Sequence, residues 1–225
     1  MDTPAGPAQE PPVSREAVVD LLGVLAYGEL TACIRMASDS DLAPTLSVKA
    51  AMAGLASREY RQYEQLVERM RGLGVDPEAA MQPFMAPFTA YHDRTRPKTW
   101  LEGLVKAYVG EGIAKDFYRE MAALVDEETR GVMDLALEDV GEADYIVGVV
   151  RDATRTDPPT GARLALWGRR LVGEALSQAQ AVAVDRDALA GLLLASGGGL
   201  AEVGEMFHRL TERHQARMRR LGLQG

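Results

Sequence analysis

Apolar residues recur at intervals of three, four and seven along most of this chain, the pattern of helices that each bury one face. Ser14 has the chemistry of an N-cap and opens a predicted helix over about 14–38, with Leu22, Leu25, Ala26, Cys33 and Met36 on one face. The run Ser38 to Asp41 and Pro44 mark a turn. A second helix over about 45–72 carries Met52, Leu55, Ala56, Tyr63 and Leu66 on a stripe and stops at Gly72 and Gly74. Between 75 and 97 the rhythm fails: Pro77, Pro83, Pro87 and Pro97 alternate with Met81, Phe84, Met85, Phe88 and Tyr91, which predicts a long, partly ordered crossover. A third helix over about 98–125 and a fourth over about 127–155 follow. Asp157-Pro158-Pro159 ends the fourth, and helices over about 159–183, 185–195 and 200–221 complete the chain.

Four glutamates interrupt this pattern in the same way. Glu29, Glu59, Glu111 and Glu142 each lie in the middle of an apolar stripe, one on each of the first four helices. The spacing is 30 within the first helix pair and 31 within the second. Two helical hairpins with inward carboxylates at matching heights describe a four-helix bundle able to hold two metal ions, and a long crossover lets its second and third helices run parallel. Such a centre ordinarily adds a histidine three residues after a glutamate on two of the helices, because that spacing places both ligands on one face. Here Gln62 and Tyr145 stand at those positions.

The run Glu59-Tyr60-Arg61-Gln62-Tyr63-Glu64-Gln65 resembles the Glu-x-x-His-Phe-Glu-Gln segment of bacterial tRNA 2-methylthio-isopentenyl-adenosine hydroxylases, with Gln62 in place of the histidine. Glu142-Ala143-Asp144-Tyr145 resembles their Glu-Ala-x-His segment. The wider resemblance, over roughly 14–155, is to the ferritin-like superfamily. It implies an all-α ferritin-like four-helix bundle, a di-iron or manganese centre and oxygen-dependent hydroxylation. On that reading Glu29, Glu59, Gln62, Glu111 and Glu142 bind metal and Tyr145 fills the remaining place beside it as a catalytic residue. A hard oxygen-donor set of this kind favours iron(III), manganese or magnesium over zinc. The alternative is a metal-free structural or partner-binding protein. Clustered carboxylates without a metal must then protonate or pair with cations, and Lys115, one turn after Glu111, can supply one while Arg58 and Arg61 are expected to point elsewhere. Glu138 and Asp139 are further candidate carboxylates.

Composition narrows the classes. A hydrophobic content of 47% with few aromatics suits a helical core in a 225-residue chain. The division expected is a disordered lead over 1–13, the bundle over 14–155 and packed C-terminal helices over 156–225. A net charge of −8 disfavours a general nucleic-acid binder, leaving tRNA as a partner only through the resemblance. The lone Cys33 suits a reducing, cytoplasmic setting, and no apolar run is expected to span a bilayer. Trp167 and the fifth helix are expected to support a homodimer. His208 and His214 are expected at the surface, like the arginines from Arg209 to Arg220. Gly28, Gly110 and Gly141, each directly before a candidate ligand, suggest close approach of another helix.

Overall fold

The computed structural model describes residues 14–137, 142–194 and 199–223, with side chains except at 136, 137, 142, 193, 194, 199 and 200. The Ser14 hydroxyl accepts from the Ala17 N–H at 3.1 Å and opens α1, Arg15–Asp39. After a 3-10 turn, Ser40–Leu42, the Thr45 hydroxyl accepts from the Val48 N–H and opens α2, Leu46–Gly72. Gly74 then takes φ 69°, a left-handed backbone that lets the Val75 N–H return to the Met70 carbonyl.

The crossover is helical rather than partly ordered. It contains α3, Pro77–Met81, a 3-10 turn, Gln82–Phe84, and α4, Met85–Arg94. Pro77, Pro83 and Pro87 fit because they fall in first turns, where no intrahelical N–H is needed, and Pro97 lies in the link before the next helix. Next comes α5, Trp100–Ala122, capped by the Thr99 hydroxyl on the Glu102 N–H, while the Glu102 carboxylate accepts from the Lys98 N–H at 2.6 Å. The expected fourth helix is described as two segments, α6, Glu127–Leu137, and α7, Glu142–Thr156; residues 138–141, with Glu138, Asp139 and Gly141, lie outside the described residues. Then follow α8, Pro158–Asp185, α9, Asp187–Leu194, and α10, Gly199–Arg220.

Cross-links between helices give their directions. Arg58 of α2 reaches Glu111 of α5, and Arg69 further along α2 reaches Asp126 just beyond α5, so these helices run parallel as the long crossover requires. Tyr118 of α5 meets Glu29 of α1, while a Cβ at Gly103 would lie 3.6 Å from the Asp39 side chain, so α1 and α5 are antiparallel. A Cβ at Gly23 would sit 2.2 Å from the Ala80 carbonyl oxygen, which makes glycine a requirement of the α1–α3 contact. Of the C-terminal helices, α9 packs on α1, α8 on α4, α5 and α7, and α10 on α5.

The core forms two apolar clusters. Leu21, Leu22, Leu66, Met70, Tyr118 and Met133 belong to one, and Met36, Met52, Leu55, Leu104, Val109 and Ile146 to the other. On α1, α2 and α5 the acidic positions fall between the stretches that feed each cluster. The acids therefore occupy a waist.

One sequence expectation is corrected here. The stretch Arg15–Leu42 contains an 18-residue window of mean hydropathy 1.7 and is long and apolar enough to cross a membrane by length and composition. In this fold it is a central bundle helix whose Asp20 and Glu29 are both buried and hydrogen-bonded, Asp20 by the Arg186 guanidinium.

Candidate functional site: a carboxylate waist beside an elongated cavity

Three of the four sequence-selected glutamates converge. Glu29 and Glu59 are each 4% exposed, and their carboxyl groups share a hydrogen bond. Burial, then the Glu29 bond and charge, hold the Glu59 carboxyl well above the usual carboxylate range, so Glu59 keeps its proton and donates to Glu29. Tyr118, 1% exposed, donates its phenol to Glu29 Oε1, and burial followed by the Glu29 charge raises that phenol above its ordinary range. Glu59 Oε1 is buried with no hydrogen-bond partner.

Glu111 has a different environment. Its Oε1 accepts from Arg58 at 2.9 Å and from Lys115 at 3.1 Å. The lysine is the one expected. The arginine overturns the expectation that it points away: Arg58 is 9% exposed and crosses from α2 to α5. With Glu59 neutral, two acids (Glu29 and Glu111) face two cations (Arg58 and Lys115), and this described cluster balances its own formal charge.

The other sequence candidates separate from these three. Tyr145 is 40% exposed, because Ile146 and Val150 take the buried face of α7; the expectation of an inward phenol is corrected. Gln62 is half-buried on α2. Glu142 begins α7, and its side chain lies outside the described residues.

The described donors fit a two-metal centre poorly. They present three carboxyl groups, with neither Gln62 nor Tyr145 shown to join them, and no group of three or more metal-ligating side chains occurs among the described residues. A guanidinium and an ammonium already hold Glu111 through its Oε1. Bringing several further positive charges beside two fixed cations is electrostatically unfavourable in a buried site.

Beside the waist lies a cavity of about 560 Å³. Its α1 lining runs from Val24 to Asp39 and its α5 lining from Gly103 to Tyr118, each a stretch of roughly 22 Å at 1.5 Å per residue. Side chains such as Phe88, Val172, Leu176, Met206, Phe207 and Leu210, from α4, α8 and α10, complete a largely apolar wall. Glu29, Glu59 and Glu111 line its middle, and Arg35, Asp39, His92 and Lys106 line one end. The glycines before Glu29 and Glu111 act differently from expectation. A Cβ at Gly110 would meet nothing within 4 Å, and one at Gly28 would touch only the Phe88 ring at 3.4 Å. Their missing side chains are cavity space rather than a helix crossing.

Sequence reasoning missed this second set. His92 and His214 are 8% and 4% exposed, so the surface expected for His214 is corrected, whereas His208 is exposed beside Glu212. Burial lowers the His92 imidazole to about 3 and the His214 imidazole to about 4. Four of the five α10 arginines are committed within the chain: Arg209 and Arg213 to Glu120, Arg217 to Asp116 and Arg220 to Asp144. Trp167 donates its indole N–H to the Glu102 carbonyl at 3.0 Å.

A long α1–α2 hairpin, a helical crossover and a parallel second pair with acids at the waist define a ferritin-like protein. The chain belongs to the family described as ferritin-like domain, actinomycetes, whose profile matches residues 12–196. Among solved structures it is similar to protein 19 with aldehyde deformylating oxidase activity from Synechococcus, with a TM-score of 0.71 and 20% identity over 93% of this chain and 91% of that one. At that identity the likeness concerns the fold. No curated protein matches.

Proposed function

We propose that this protein is a ferritin-like binding protein for an elongated apolar molecule, with a carboxylate waist neutralised by its own proton and cations. The observation that carries this reading is the cavity: about 560 Å³, apolar along its walls and widened by Gly28 and Gly110 at the acid level. That volume lies in the range of small-molecule sites, ~300–1,000 Å³. Inside it, Glu59 and Tyr118 hold protons against Glu29, so the middle presents little uncompensated charge to an aliphatic chain. A neutral fluorescent probe such as N-phenyl-1-naphthylamine is expected to bind saturably at one site per chain. Failure to bind, together with the absence of any apolar molecule in an organic extract of the purified protein, sinks this reading.

A second reading, a di-metal oxidase or hydroxylase related to the tRNA hydroxylases, is favoured by one observation: the partnerless Oε1 of buried Glu59, a residue that lines the cavity beside Glu29. The aldehyde deformylating oxidase activity of the Synechococcus protein adds to it. On this reading Glu29, Glu59, Gln62, Glu111 and Glu142 hold iron or manganese, and Arg58 and Lys115 leave Glu111 to allow it. Protein expressed in iron-rich medium decides between the two. Stoichiometric iron, removable by chelator with a fall in melting temperature, establishes the second reading; a colourless protein with unchanged melting temperature refutes it.

A further inference from the structure

The end of the cavity away from the waist is built differently from its walls. Both ring nitrogens of His92 lack a hydrogen-bond partner although the residue is only 8% exposed and lines the cavity. A buried imidazole with two unanswered polar atoms is costly unless something else supplies a partner. Lys106 stands beside it, 7% exposed. Its ammonium donates to the Thr95 carbonyl at 2.7 Å and lies 5.6 Å from the centre of the Tyr91 ring. An ammonium has three donors, so two remain beyond the Thr95 bond. Arg35, one face of α1 further along from Glu29, lines the same end, and its charge acts on His92, Lys106 and Asp39. Asp39 offsets one cation, and Arg96, 3.9 Å from the exposed Asp93, also acts on Lys106 and Asp39, so this end carries net positive charge.

We propose that this end is an anion-recognition site and that the ligand of the cavity is an amphipathic monoanion, a long-chain carboxylate whose head accepts from Lys106, Arg35 and His92. The proposal rests on the apolar-ligand reading above and adds the chemistry and direction of the ligand. A net positive end suits an anionic carboxylate head. The aliphatic tail then passes the waist toward Val24, Leu189, Met206 and Phe207. Arg35 and Glu29 are six residues apart on α1, or roughly 9 Å. An extended alkyl chain advances about 1.2 Å per bond, like the peptide backbone, so a twelve-carbon chain of about 13 Å reaches past the acids from this end.

Calorimetric titration of the full chain with dodecanoate and with 1-dodecanol tests this. In the wild type the carboxylate is expected to bind at least tenfold more tightly than the alcohol. In Lys106→Met and in Arg35→Gln that gap is expected to collapse, with helical circular dichroism and a cooperative thermal melt showing that the variants fold. In Glu59→Gln the gap is expected to persist. Equal affinity for acid and alcohol in the wild type, or a gap that survives both cation substitutions, overturns the proposal while leaving the apolar-ligand reading intact. A gap abolished by Glu59→Gln instead places the head at the waist and also overturns it. Binding of neither ligand overturns both.

Discussion

At the scale of single residues, three of the four glutamates chosen from the sequence come together, but what answers them was misjudged. Glu29 and Glu59 meet as expected because they occupy core-facing positions on α1 and α2, and period alone reveals that. Proton sharing and the Arg58 clamp were less legible. A cation next to a glutamate in sequence lies on another side of the helix, and only the position of α5 shows that Arg58 has Glu111 to reach. Two predictions belong here. Glu59 has its folded pKa raised above the unfolded value, so its contribution to stability is present below about pH 4.5 and is lost as pH rises through the folded value. Glu59→Gln removes that loss while keeping a hydrogen-bond donor for Glu29. Denaturant titrations should show the variant close to wild type at pH 4.5 and more stable than wild type at pH 8. Arg58→Met leaves Glu111 with Lys115, and should destabilise by about 1–3 kcal/mol, less than a fully broken buried pair.

At the scale of helices, the caps and stops were readable because they are local. Ser14 caps α1, Gly74 turns the chain after α2, and Asp157-Pro158 separates α7 from α8. The crossover was misread because proline was weighed as a breaker, whereas Pro77 and Pro83 open short helices. Glycine at 110 was misread in the opposite sense, since sequence cannot distinguish a glycine that admits a neighbour from one that leaves room. Gly110→Leu should therefore fold, gain up to about 1 kcal/mol of helix stability, and weaken probe binding at least tenfold by filling the cavity. Gly23→Ala is the counter-case: its Cβ meets backbone at 2.2 Å, and thermal melting should show a loss of about 1–3 kcal/mol.

At the scale of the whole molecule, long-range ion pairs hold the C-terminal helices to the bundle. Asp116 is 1% exposed and receives both Arg119 and Arg217, the latter 101 positions away. Asp116→Asn should destabilise by about 3–5 kcal/mol through the stranded Arg217, with the earliest hydrogen exchange appearing in α10. The buried histidines give an acid limit. Their folded pKa values, about 3 for His92 and about 4 for His214, lie below the unfolded 6.5. Their contribution is full above 6.5 and falls as pH drops toward those values. Melting temperature should fall from pH 6.5 to 4, and His92→Phe should flatten that slope.

The long helices α1, α2, α5 and α8, the core-facing positions of Glu29 and Glu59 and the missing imidazoles were legible in the sequence alone, because helical period, caps and residue identity act within a few positions. Tertiary structure decided the rest: that Arg58 and Lys115 answer Glu111, that Tyr145 faces outward, and that His92, Lys106 and Arg35 gather at the end of a cavity. These depend on which helix faces are opposed across tens of residues. Electrostatic balance and empty volume are properties of that opposition, and no single segment carries them.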